Sequence, residues 1–379
     1  MVDRIFVAVG IIVAIVVMAD VFESAIVPRP VARALRPSAW VSVWGWRAWS
    51  SALMRLRNND IREDLLGIYA PLLLVSLLGI WVALLIGAYG LIFYGMRDGI
   101  KGITDFPSAL YFAGTSLITI GYGDIVATSG WARIFSVTAG ATGFAVVAVV
   151  TTFLYSVLQQ FQAREVFVVM LGTRAGSPPS GVTFIETVVR LGITDSLPEF
   201  LREGQRWMAQ LMESHLSYPV LTYFRSSHDY ESWIAAIGTL LDASTLAITC
   251  FDVDRVGEAR LTNALGRHLV KDFSHYFGLP PSDEIGVERH EFDLAFERLA
   301  AAGVPLLSDR DRAWELFSQT RRTYAGDLNA MARWWRIPPT QWIGDRSSLK
   351  HSHAVSLPSI VRERLDARDA ARSAGTDQP

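Results

Sequence analysis

Cysteine is all but missing from this 379-residue chain. Cys250 is the single thiol, so neither an intrachain disulfide nor a cysteine-built zinc site can form. Charge is scarce too. Asp, Glu, Lys and Arg make up 19% of the residues and apolar side chains 51%, whereas an ordinary soluble domain carries roughly a quarter charged residues. That balance excludes a disordered or low-complexity chain. A basic excess is lacking as well: 35 Lys and Arg stand against 37 Asp and Glu, for a formal charge of -2. Nucleic acid is therefore not an expected partner. No G-x-G-x-x-G follows a strand-like run, so a doubly wound nucleotide-binding domain is not expected.

What the chain has in plenty is uninterrupted apolar sequence, concentrated before residue 160. Three stretches are long enough to cross a bilayer. The first, Ile5 to Ala19, is followed by Asp20 and Glu23. As a helix, Val2 to Ala19 rises about 27 Å, close to a hydrocarbon core of about 30 Å. Met1-Val2-Asp3-Arg4 lacks the positive excess of a cleaved signal peptide, so this stretch reads as a retained span. Leu65 to Tyr94 holds no charge across 30 positions, and Ile134 to Leu158 none across 25. Between the first two lies a segment with seven arginines against three acids, residues 28–64. Gly95 to Arg133 is balanced. Basic loops stay in the cytoplasm. Residues 28–64 and everything beyond about 160 are thus expected inside, with residues 95–130 and the N-terminus outside.

Residues 38–57 interleave Trp40, Trp44, Trp46 and Trp49 with arginines. The pattern suits a helix in the headgroup layer of the inner leaflet, in preference to a loop with aromatic anchors.

Between the second and third spans, Pro107 opens a short helix over 107–118. Thr119-Ile120-Gly121-Tyr122-Gly123-Asp124 follows. Irregular backbone of this kind is tolerated at membrane depth only where protein encloses it or where it lines a water-filled path. The six-residue run resembles the selectivity filter of potassium channels, T-V-G-Y-G-D in its common form, with Ile120 in place of Val. Glycines at alternate positions permit backbone conformations closed to other residues. Four copies around an axis then stack rings of carbonyl oxygens that replace an ion's hydration shell. By that resemblance, K+ is the transported ion, held by carbonyls of Thr119, Ile120, Gly121 and Tyr122 and by the Thr119 hydroxyl. Tyr122 braces the filter, and Asp124 stands at the outer mouth, where its charge attracts cations.

The resemblance covers about residues 65–160: outer helix 65–95, pore helix 107–118, filter 119–124, inner helix 131–160. Gly143 matches the inner-helix hinge, whereas Gly140 reads as a packing glycine. Thr151 and Thr152 fall at the depth of the cavity and its inner mouth, where their hydroxyls either face water or bond back to the helix. A bundle crossing near Tyr155 to Gln159 is the expected gate. The sequence departs from the family at Ile118, where many members carry a second threonine. It departs again at Thr115, where some carry a carboxylate, and at Tyr111 and Phe112, which replace a tryptophan pair. No span repeats arginine at every third position, so a voltage sensor is not expected.

Beyond residue 160 the composition turns soluble. Residues 161–182 read as a connector containing a Gly/Ser/Pro linker, Gly172 to Gly181. Residues 183–365 read as an all-helical cytoplasmic domain. Helices are expected from the Ser196–Glu199 capping box to His215, from Asp229 to Ala247, over 256–277, and over 287–302 up to Gly303. A further helix presents Trp314, Phe317, Tyr324, Leu328, Met331 and Trp335 on one face. Residues 366–379 read as a frayed tail. The histidines are scattered. His351 and His353 are the one close pair, with solvated loop residues the expectation, and Glu288, His290, Glu291 and Asp293 read as a solvated helix face. Cys250 reads as core.

No catalytic constellation stands out and no cofactor is expected. The sequence thus predicts an all-α membrane protein, not an enzyme: a homotetrameric pore-loop channel with an added N-terminal span (1–27), a Trp/Arg linker (28–64) and a cytoplasmic domain open to an unidentified regulator. Two other readings stand beside it: a weakly selective cation channel, and a membrane-anchored sensor or scaffold whose pore module is silent.

Overall fold

The computed structural model describes residues 2–27, 37–226, 231–253, 256–280 and 286–343. His228, Asp229, the His351/His353 pair and the tail from Asp366 lie outside these residues. The protein is an all-helical membrane protein with twelve α-helices among the described residues and a single pair of two-residue strands. It divides into two units. One comprises Met1–Gln162 together with Glu213–Arg225, and the other comprises Ala163–Met212 and Ser226–Pro379.

In the first unit, α1 (Val2–Ala25) and α3 (Asn59–Gly95) pack antiparallel. A Cβ on Gly10 would stand 2.5 Å from the Ala88 carbonyl oxygen, and one on Gly95 equally close to that of Asp3. Small residues at these two points let the backbones touch, as helix pairs in lipid require. Arg97 closes the far end by pairing with Asp3. At the other end Asp20, the first charge after the apolar run of α1, is buried. Its carboxylate accepts hydrogen bonds from Trp81 Nε1 (2.7 Å), Ser38 Oγ (2.7 Å) and the Ser38 backbone N–H (3.2 Å). Ser38 lies in the first turn of α2 (Pro37–Leu53), so Asp20 caps one helix while belonging to another. Trp49 Nε1 donates to the Leu65 carbonyl (3.0 Å) and the Tyr69 hydroxyl to that of Ser42 (2.6 Å), which fixes α2 along α3.

After α3, a two-stranded hairpin pairs β1 (Ile100–Lys101) with β2 (Val126–Ala127), and α4 (Phe106–Leu117) lies within the loop so closed. The inner helix, α5 (Gly130–Ala175), does not stop near residue 160. Its last turns belong to the second unit, where Phe167 stacks on Trp207 with centroids 4.7 Å apart and packs on Phe200 at 5.6 Å. Nor is Gly172 to Gly181 a slack linker. A Cβ on Gly172 would meet Glu231 Oε1 at 2.4 Å, and one on Gly181 the Ala243 backbone nitrogen at 2.7 Å. These glycines serve close packing, a use that composition does not separate from flexibility.

The second unit also contains α6 (Gly181–Arg190), most of α7 (Leu197–Ser217), α8 (Trp233–Cys250), α9 (Gly257–Tyr276), α10 (Arg289–Ala301), α11 (Arg310–Arg322) and α12 (Ala325–Trp334). Among the described residues four helices, α1, α3, α5 and α8, are long and apolar enough to cross a membrane. Of these, α8 is set apart by being 94% buried within the protein, against 33% or less for the others. It is the core of its unit, with α6, α9, α11 and α12 packed on it. Ser232, not Asp229, caps it, its hydroxyl accepting from the Ala235 N–H (3.0 Å).

The apolar face from Trp314 to Trp335 is shared by α11 and α12 in place of one continuous helix. The break falls at Tyr324, whose φ of -141° leaves the helical region. Its cause is a buried polar anchor. Arg321 and Asp242, both almost inaccessible, pair at 3.0 Å, and the Tyr324 hydroxyl donates to the same carboxylate at 2.7 Å. Burial, with the Asp242 charge beside it, holds the Tyr324 phenol well above its ordinary range, so it remains a donor. Arg321 also donates to the Trp342 carbonyl (2.7 Å).

Removing one partner of a buried ion pair typically costs about 3–5 kcal/mol, because the other is left uncompensated. Arg321→Leu is expected to destabilise the second unit by that order in thermal unfolding of the detergent-solubilised chain. Adding Asp242→Leu should recover part of the loss.

Candidate functional site

The segment between α3 and α5 is assembled from its neck inward. The hairpin brings residues 101 and 126 side by side, and the Gly99 carbonyl accepts from Thr128 N (2.9 Å), Ser129 N (3.1 Å) and Thr128 Oγ1 (2.9 Å). α4 starts on a reciprocal cap: Asp105 Oδ1 accepts from Ser108 N (2.9 Å) while Ser108 Oγ accepts from Asp105 N (3.1 Å). Pro107 occupies the first turn, where its missing N–H costs nothing. The helix ends at Leu117, and Ile118 is its C-terminal cap, giving its N–H to the Gly114 carbonyl at 3.0 Å.

From there the backbone alternates in hand. Thr119, Gly121 and Gly123 take φ values of 62°, 58° and 81°, while Ile120 and Tyr122 between them stay negative. Such alternation turns successive N–H groups to one side of the chain and carbonyls to the other. The run is tethered by the Thr115 carbonyl, which accepts from Ile120 N (2.8 Å) and Gly121 N (3.2 Å). Holding threonine in the left-handed region costs about 1–3 kcal/mol, and this tether helps to impose it. Thr115 Oγ1 donates back to Tyr111 and Phe112 (3.1 Å each), so it braces α4. At the other end of the run Tyr111 lies beside Asp124. In the single chain, residues 118–124 are exposed, Tyr122 by 70% and Ile118 by 56%.

α5 packs directly behind this run. A Cβ on Gly143 would lie 1.8 Å from the Leu117 carbonyl oxygen. Glycine is therefore needed at 143 for contact with the end of α4, whatever bending it also permits. Gly140 is looser, at 3.4 Å from the Ser116 oxygen and 3.8 Å from Thr119 Cγ2. Tyr89 and Thr142 hydroxyls share a 2.8 Å hydrogen bond that ties α3 to α5. Further along, Thr151 and Thr152 are exposed, and their hydroxyls donate back to the carbonyls of Val147 (2.8 Å) and Ala148 (3.0 Å). The Tyr155 ring is exposed, and its hydroxyl accepts from Gln159 Nε2 at 2.7 Å.

Sequence reasoning gave no role to residues 218–225, which fall between two expected helices. They belong to the first unit. Tyr218 packs on Phe153 (5.8 Å between centroids) and Phe224 on Phe161 (5.2 Å), both on α5. Tyr223 enters a three-ring cluster with Trp46 of α2 (5.4 Å) and Tyr69 of α3 (5.3 Å). Arg225 stands 3.7 Å from Glu63. Burial raises the Tyr223 phenol, which keeps it uncharged. The density of aromatics from Tyr218 to Phe224 was visible in the sequence, but nothing local says against which helices they pack. Among the described residues, no group of three or more His, Cys, Asp or Glu could hold a metal ion.

Residues 80–160, from the middle of α3 through most of the membrane part of α5, match a family model described as an ion channel. An uncharacterized membrane protein of Bacillus subtilis (strain 168), YdjJ, is 23% identical over 324 residues, covering 82% of this chain and 89% of that protein. No solved structure matches the chain. The matched segment holds α4, the backbone run after it and the helices on either side, and the similarity points to ion conduction, not catalysis.

Gly143→Ala is expected to push the end of α4 away from α5 and to destabilise the first unit by about 1–3 kcal/mol, the usual cost of overpacking. Gly140→Ala should cost clearly less. Thermal melts of the two variants in one detergent test this ordering.

Proposed function

We propose that the chain is one quarter of a potassium-selective channel. The observation that carries this reading is the alternation of backbone hand along Thr119–Gly123, at the end of a short helix and inside a segment similar to ion channels. One chain offers one column of carbonyls, and a dehydrated ion needs a ring of them, so four copies assemble around the axis. Thr119, Ile120, Gly121 and Tyr122 hold K+, and Asp124 concentrates cations at the entrance. The exposure of residues 118–124 in one chain fits surfaces that other copies cover.

In this reading α1, α3 and α5 span the cell membrane, with the N-terminus outside and the second unit in the cytoplasm. α8 stays within that unit as its core. Tyr155 lies near the inner gate, and Gly143 bends α5 as well as packing it. Residues 218–225 transmit a signal received by the cytoplasmic unit, because they touch α2, α3 and α5 at once.

A weakly selective cation channel is the second reading. Ile118, exposed immediately below the filter where a hydroxyl is usual, favours it.

Reversal potentials of the purified chain in planar bilayers, in mixed potassium and sodium, separate the two. The potassium reading expects reversal close to the potassium equilibrium value; reversal midway between the two ions defeats it, and absence of current from correctly assembled tetramers defeats both. Gly121→Ala places a Cβ at positive φ and should abolish conduction without preventing membrane insertion. Tyr223→Leu should leave the reversal potential unchanged while altering the fraction of time spent open.

A further inference from the structure

α2 lies outside the channel-like segment, and the conduction path makes no use of its outward face. Its inner side is consumed by the fold: Ser38, Trp46 and Ser50 are buried. The opposite stripe, at helical spacing, is Trp40, Trp44, Arg47 and Ser51, continued just past the helix by Arg55. Trp40 and Trp44 are 62% and 63% exposed. The Arg47 guanidinium lies over the Trp44 ring, 5.0 Å from its centroid.

Two further observations say what covers this face. The first is depth. Asp20 follows the apolar run of α1 directly and holds the first turn of α2, so α2 begins at the level where that run ends. Indole rings at such a boundary sit among headgroups. The second is charge. From Ser24 to Asn59 the chain carries six arginines and no acid. Clusters of this size beside a span attract acidic lipid at about 1 kcal/mol per basic side chain.

We propose that the Trp40–Trp44–Arg47–Arg55 face of α2 binds the phosphate headgroups of anionic phospholipids in the inner leaflet. Trp40 and Trp44 insert at the boundary, and Arg47 and Arg55 pair with the phosphates. Because Trp46, on the buried side of the same helix, packs against Tyr69 and Tyr223, occupancy of this face bears on the cluster that touches α3 and residues 218–225. The proposal rests on α1 and α3 spanning a bilayer, and it holds whatever ion the pore conducts.

The full chain is reconstituted in vesicles of phosphatidylcholine with either brominated phosphatidylglycerol or brominated phosphatidylcholine, and tryptophan fluorescence is read. The contribution of the face is the quenching lost in the Trp40→Phe/Trp44→Phe variant. This contribution should be larger with the brominated anionic lipid. The difference should disappear in Arg47→Gln/Arg55→Gln and shrink from 0.1 to 1 M salt, as the screening length falls from about 10 Å to about 3 Å. Equal quenching by the two lipids overturns the charge recognition. Absence of any contribution from Trp40 and Trp44 overturns the proposal outright, since the face is then covered by protein, a second copy included. Gel filtration of each variant separates loss of binding from loss of fold. Loss of current with the lipid preference intact counts against the conduction reading alone.

Discussion

A peptide group without a hydrogen-bond partner cannot face hydrocarbon, and the first unit is organised around a stretch of chain that leaves several such groups open. From Ile118 to Asp124 the backbone neither continues α4 nor joins a sheet. It survives because each neighbour supplies something specific. The Thr115 carbonyl takes two of its N–H groups, the hairpin closes the neck, and α5 comes within touching distance at Gly143. The helices α1 and α3 are in turn drawn together by Gly10 and Gly95, which gives the loop a firm outer wall.

The helix start and the glycine-bearing turn of the segment similar to ion channels were legible in the sequence. Pro107 marked a helix start, and alternate glycines marked backbone conformations closed to other residues. What stayed hidden was the reason for particular glycines. Gly143 reads as a bend and Gly172 as slack when only the chain is seen, because a missing side chain serves flexibility and close contact alike. The difference lies in a carbonyl or a carboxylate contributed from far away, Leu117 in one case and Glu231 in the other. Tyr324 shows the same limit in polar form. Its spacing continues an apolar stripe, and only the buried Asp242–Arg321 pair shows why the helix breaks there.

The four tryptophans of residues 38–57 illustrate how one composition divides into opposite roles. Trp46 is buried against two tyrosines and Trp49 donates to a backbone carbonyl, while Trp40 and Trp44 remain on the outside. A helix places residues two apart on different faces, so the interleaving that suggested an interfacial element also encodes its attachment to α3. Asp20 completes that attachment with a single carboxylate serving three donors on two other helices.

The return of residues 213–225 to the first unit bears on any attempt to divide the protein. A cut after the inner helix, near residue 165, removes Tyr218, Tyr223 and Phe224 and strips the cover from Trp46, Tyr69, Phe153 and Phe161. The shortest fragment holding every piece of the first unit ends at Arg225, and it necessarily carries residues 163–212, with the last turns of α5, α6 and most of α7, between two pieces of that unit. A single truncation therefore does not separate the second unit from the first. The chain passes from the first unit to the second, returns for residues 213–225 and ends in the second.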